Sequence, residues 1–135
     1  MANEAVLLYE TQLPIPFTCA NGTGIEKGSH LKLADLMTVS ITTGEADVVG
    51  GIAAAEKIAS DGKVKIPVYR AGIFRSICSG TITVGDPVCF DGDGSLNYIY
   101  TPVANVETVA GIALETGADE ETIAFELKPM RQQLA

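Results

Sequence analysis

Val48-Val49-Gly50-Gly51-Ile52-Ala53-Ala54 and Thr108-Val109-Ala110-Gly111-Ile112-Ala113-Leu114 are two versions of one heptapeptide, and their surroundings repeat as well. Upstream, Ile25 to Leu33 lies on Ile82 to Phe90, sharing the frame Ile, two residues, Gly, two residues, apolar, one residue, apolar. Downstream, Val64, Ile66 and Val68 lie on Ile123, Phe125 and Leu127. The three matches keep their order at offsets of 57, 60 and 59 residues. Each unit reads as a turn, a strand, a loop, a strand around V-x-G-I-A, and an alternating strand. A unit of this size buries too little surface to stand alone, whereas two packed together can close one barrel. Gly28 and Gly85 stand just before strands and suit a turn with positive φ. Gly51 and Gly111 stand inside apolar runs, where glycine marks a bulge or a close backbone approach.

Working outward, Lys63 to Arg70 alternates cleanly as a strand, and short apolar or β-branched runs recur at 31–33, 36–43, 73–77, 81–84, 88–90, 97–103, 109–114 and 122–127. Turn signals every eight to twelve residues or so give the rhythm of a barrel or sandwich. The one helical turn the pattern allows, Ala53 to Ser60, is stopped by Asp61-Gly62. The expected fold is therefore all-β: a small compact β-barrel or sandwich at 19–128, built from two similar units at about 22–70 and 79–128, followed by a tail at 129–135. Pro67 lacks a ladder donor and places its strand at an edge. Residues 1–18 read as an extended N-terminal arm. Pro14 and Pro16 bias it away from helix, and Val6, Leu7, Leu8, Tyr9, Leu13, Ile15 and Phe17 are too apolar for a solvated tail. The arm must lie on its own domain or on a neighbour, as an edge or added strand.

Composition removes several functions. Among 135 residues, nine Lys/Arg stand against 17 Asp/Glu, a net charge of −8. Phosphate backbones and anionic membranes repel such a chain, so neither nucleic acid nor membrane is an expected partner. No apolar run approaches a transmembrane length, and the first 26 residues hold no Lys or Arg for a secretory signal. Cys19, Cys78 and Cys89 read as free, buried thiols in a reducing compartment. His30 is the only histidine, which excludes a His-rich metal site, and its alternation with Leu31 assigns it to the solvent face. Asp91-Gly92-Asp93-Gly94-Ser95 begins like a calcium loop, but Pro102 stands where the twelfth-position Glu belongs, so it reads as a hairpin turn. The acidic groups Glu45/Asp47 and Glu115, Asp119, Glu120, Glu121 read as a solvated rim. No catalytic residue, metal site or cofactor site emerges, and the chain is not expected to be an enzyme.

The segments EAVLLYETQLPIPF (4–17), NGTGIEKGSHLKL (21–33), VVGGIAAAEKIASDGKVKIPVYRAGIF (48–74) and CSGTITVGDPV (78–88) together resemble a family of small acidic bacteriophage and prophage proteins described as capsid decoration or cement proteins. The resemblance spans about residues 4 to 127. It implies a compact β fold, a homotrimer, and binding to the outside of a mature icosahedral head at threefold or local threefold positions. The implied partner is the major capsid protein, with synthesis in the bacterial host cytoplasm and no catalytic residues. The arm (Val6, Leu7, Leu8, Tyr9, Leu13, Pro14, Ile15, Pro16, Phe17) is the expected capsid-binding element, adding an edge strand to a shell loop. Deleting residues 2–17 is then expected to abolish binding while the β domain still folds. The competing reading is a small-ligand-binding cytoplasmic β-barrel module, which needs an apolar internal cavity.

Overall fold

The computed structural model describes residues 4–34, 36–42, 48–90, 97–101 and 108–131. Eleven strands occur among them: β1 (Val6–Tyr9), β2 (Ile15–Thr18), β3 (His30–Ala34), β4 (Thr38–Ile41), β5 (Val49–Ala53), β6 (Lys65–Tyr69), β7 (Gly72–Ile77), β8 (Pro87–Phe90), β9 (Ile99–Tyr100), β10 (Thr108–Ala113) and β11 (Thr122–Arg131). No helix occurs among the described residues. The fold is all-β. Strands β2-β4-β3-β5-β6 form a closed barrel, and the others form a six-stranded sheet in the order β1-β7-β11-β10-β8-β9.

Setting β1 aside, the two sheets share one connectivity, since β7 to β11 follow the order of β2 to β6. The first closes where β2 meets β4 in parallel at Thr18↔Thr38. The second returns on itself through a parallel bridge, Cys78↔Ile99. Backbone bonds correspond as well. Ile25 bridges Lys57 as Ile82 bridges Gly117. Gly28 N–H donates to the Ala53 carbonyl as Gly85 N–H does to that of Ala113, at 2.9 and 2.8 Å. Ala53 and Ala113 donate back to Ser29 and Asp86. These are the positions of the sequence frame, so its Gly and Ile have a mechanical meaning. The glycines turn at φ of 85° and 90°, and Ile25 and Ile82 are buried beside them. At the heptapeptide glycines the chain passes close to a neighbour. A methyl on Gly51 would meet the Tyr69 carbonyl oxygen, and one on Gly111 that of Glu126.

Strand alternation fills the interiors. Ile66 and Val68 of β6 are buried between exposed Lys65 and Pro67, and they pack with Phe17, Leu31 and Val39 in the barrel. The second core gathers Phe74, Phe125, Ile82, Val88, Ile99 and Leu127. Each such side chain stabilises the fold by about 1.5–3 kcal/mol. β5 breaks the alternation, being buried at all five residues, because the barrel covers one face and β10 and β11 pack on the other.

Five expectations are corrected by this arrangement. β6 is not an edge, because it pairs with β2 and β5. Pro67 is tolerated because its carbonyl accepts from Ala54, just past the last β5 pair, so its missing N–H falls where that ladder ends. Residues 81–84 form an isolated bridge at Ile82, and 53–60 a bend and bridge in place of a helical turn. The N-terminal segment is not separate from the β domain. β1 pairs with β7, β2 pairs with β6 and β4, and Phe17 is in the barrel core. Deleting 2–17 therefore removes the strand that closes the barrel. His30, finally, is fully buried, because the second sheet covers the barrel face on which alternation had placed it in solvent. The Asp91–Ser95 turn, Pro102 and the Glu45/Asp47 pair lie outside the described residues.

The loop after β5 is held by a buried lysine. Lys57 Nζ donates to the Asn21 and Ile58 carbonyls at 2.8 and 3.1 Å and meets Asp61 Oδ1 at 3.2 Å. Lys57→Met keeps the stem and strands two carbonyls. It is expected to cost about 2 kcal/mol in a urea unfolding series, and an unchanged midpoint would show the ammonium to be dispensable.

Candidate functional site

The arm residues named from sequence divide into two groups. Ile15 and Phe17 face the barrel core, and Pro14 is half-buried. Val6, Leu8, Tyr9 and Leu13 are exposed, Tyr9 at 68% and Leu13 at 73%. Leu7 lies between, packed on the second core. The structure thus brings Val6, Leu8 and Tyr9 together on β1, the open edge of the six-stranded sheet.

A second open edge explains the prolines. Among the described residues, β2 pairs with β4 only at Thr18, whose N–H donates to the Met37 carbonyl across that side at 2.9 Å. By strand alternation Pro14 and Pro16 turn to the same side, so the unpaired part of β2 offers no N–H there. Proline at an exposed edge prevents stray strand pairing. β1 has no proline; its one irregularity is a register shift between Leu7 and Tyr9.

Beneath β1 runs an open groove of about 450 Å³ whose walls include Glu4, Lys27, Ile52, Tyr69 and Phe74. Tyr69 donates from its hydroxyl to Glu10 Oε2 at 3.2 Å. Burial, then Glu10, pushes that phenol above its ordinary value. The barrel interior is filled by Leu31, Val39, Ile66 and Val68.

The polar clusters serve the backbone. Asp119 Oδ1 accepts from Gly80 N–H at 2.7 Å, Glu121 Oε1 from Ala118 N–H at 2.6 Å, and Glu115 Oε1 from Ala124 N–H at 2.9 Å. Arg75 pairs with Glu115 at 3.7 Å, both half in water. All three cysteines are buried, free thiols. Burial pushes Cys78 up, helped by Glu121, Asp119 and Glu115, and burial pushes Cys19 up as well. A raised thiol pKa disfavours the reactive thiolate. Among the described residues, no three His, Cys, Asp or Glu converge to hold a metal.

Sequence reading missed His30 as the link between the sheets. Its ring stacks on Phe90 at 3.9 Å and 9°, and Nε2 lies 3.3 Å from Ser76 Oγ. Its backbone N–H donates to Asn97 Oδ1 at 2.8 Å, while Asn97 Nδ2 donates to the Gly28 carbonyl at 2.7 Å. The Asn97 amide thereby clips the second sheet to the turn before β3. No local pattern around residue 97 carries that signal.

The geometry is that of an all-β module whose edge strand β1 exposes apolar side chains. Residues 9–128 match the phage cement protein family model, and the chain belongs to that family. This is a structural family of phage heads, and a capsid-associated role follows from membership. A comparison with curated proteins gives no match. Among solved structures, the chain is similar to the head fiber gp8.5 N base of bacteriophage phi29, with 16% identity, a TM-score of 0.58, and 90% of this chain and 98% of that chain covered. At that identity the likeness shows the fold alone.

Proposed function

We propose that this chain is a non-catalytic decoration protein that binds the outer surface of a phage head and stabilises the shell, as a homotrimer at threefold or local threefold positions. The observation that carries the reading is the contrast between two open edges. Pro14 and Pro16 blunt the β2 edge, while β1 keeps its pairing groups and shows Val6, Leu8 and Tyr9 to solvent. An extended shell segment adding to β1 would gain main-chain bonds and alternate side-chain contacts. Of the other arm residues, Ile15 and Phe17 pack in the barrel core, and Pro14 and Pro16 blunt the β2 edge. Three weak contacts per trimer add through effective concentration, and binding only the assembled shell stabilises it by mass action. The shared connectivity of the two sheets supports reading the domain as two similar units, with Gly28, Gly51, Gly85 and Gly111 as their fixed turns and close approaches. In this reading the protein is made in the bacterial cytoplasm and resides on the capsid exterior. Among the described residues, the barrel core is occupied by Leu31, Val39, Ile66 and Val68, and the open groove beneath β1 is the cavity a small-ligand reading would use.

The test is sedimentation and cryo-EM of expanded heads lacking the protein, mixed with the purified chain. The expected map has added density on the outer surface. Leu8→Asp with Tyr9→Asp is expected to weaken decoration about tenfold or more, since both residues are exposed and the fold is kept. Equal decoration by this variant would refute the edge mechanism, and bare heads with the unaltered chain would refute the decoration reading.

A further inference from the structure

The connection between β3 and β4 is built against its backbone preference. Leu36 and Met37 follow each other at φ of 56° and 54°, in the left-handed region that suits Gly, Asn or Asp. Both side chains remain in water, Leu36 87% exposed and Met37 53%, so hydrophobic burial within the chain does not offset the strain. Strain of this kind clusters at binding sites.

The tip has apolar company. The Met37 carbonyl accepts from Thr18, and the next residue, Cys19, donates to the Val64 carbonyl at 3.0 Å. Val64 is exposed too, and Lys65 Nζ donates to Thr18 Oγ1 at 3.1 Å. Leu36, Met37 and Val64 therefore gather at one end of the barrel, with Lys63 and Lys65 beside them. Charge divides in the same sense. Residues 15–70 hold six Lys/Arg and six Asp/Glu, whereas residues 71–135 hold three and nine.

We propose that this barrel end, with Leu36, Met37 and Val64 at its tip, seats in an apolar depression on the outer surface of the major capsid protein, with the acidic second half turned outward. The inference rests on the decoration reading and adds to it the orientation on the shell and a contact separate from β1. The neutral half meets a protein surface without the repulsion that the overall charge would impose. Three side chains bury far less than the roughly 800 Å² per partner of a stable pairing between copies. The same small contact, repeated by each subunit on a lattice, adds through effective concentration.

The experiment compares the unaltered chain with Leu36→Asn/Met37→Gly, in which both new residues accept the left-handed backbone. The variant is expected to melt about 5 °C higher and to decorate expanded heads about 30-fold more weakly. A structural role for the two side chains would not raise stability while lowering affinity. Unchanged decoration by the variant, beside full decoration by the unaltered chain, overturns the proposal. So does a variant whose free oligomer dissociates in light scattering while its assembled form binds heads as before, since the tip would then join copies. Failure of the unaltered chain to decorate overturns the decoration reading itself, which the variant comparison keeps separate.

Discussion

Gly111→Ala is expected to cost about 3 kcal/mol or more, a large share of the roughly 5–15 kcal/mol that holds a domain together. The added methyl would land on the Glu126 carbonyl oxygen, with the following Lys128 nitrogen 3.1 Å away. These are backbone atoms of β11, fixed on its other side by β7, so no rotamer change can make room. The irregular register between Val109 and Gly111 marks the place where β10 approaches. Gly85→Ala is the matched control. Its φ is 90°, but nothing lies within 4 Å of the new carbon, so only the conformational cost of about 1 kcal/mol applies. Urea unfolding of both variants checks the pair. Equal losses would mean that the close approach does not limit the fold.

Acid is expected to weaken the fold through His30. Burial lowers its pKa from 6.5 to about 3, opposed in part by a hydrogen bond with the Tyr98 backbone. Below pH 6.5 the unfolded chain takes up a proton that the folded chain refuses until about pH 3. Its contribution is therefore complete above pH 6.5 and is lost progressively as the pH falls toward 3. Between pH 7 and pH 5 this amounts to about 2 kcal/mol. His30→Gln removes the titration, so its stability is expected to fall less over that interval, whatever its absolute value at pH 7. An NMR titration of the unaltered imidazole gives a second readout. A midpoint near 6.5 in the folded protein, or parallel stability losses in the two proteins, would contradict the burial seen here. Because His30 joins β3 to Phe90 and Ser76, the first opening is expected between the two sheets.

The parts of this architecture that depend on neighbours along the chain were legible beforehand. The frame around Gly28 and Gly85, the heptapeptides at 48–54 and 108–114, and the alternation of Lys65 to Tyr69 each map onto strands and turns, because a φ preference and a period of two are local properties. Val6, Leu8 and Tyr9 stood out as apolar residues needing a partner for the same reason. The failures at Pro67, His30 and the supposedly separate arm share another cause. Alternation says that two faces differ without saying what covers either one, and a proline's cost depends on whether a ladder continues beside it. The tip escaped notice because Leu36-Met37 reads as the start of a strand. Only the pairing of Ala34 with Thr38 turns those residues into a connection.

The amino-acid order alone determined an acidic all-β chain with a recurring sequence frame and glycines at its turns. Each of those properties follows from composition or from contacts a few residues apart. Packing decided that Ile15–Thr18 completes a barrel, that the sole histidine is stacked on Phe90 between two sheets, and that Leu36, Met37 and Val64 share one exposed end. Those outcomes join residues tens of positions apart, and which distant surfaces meet depends on the combined burial of many side chains, a quantity no short window contains.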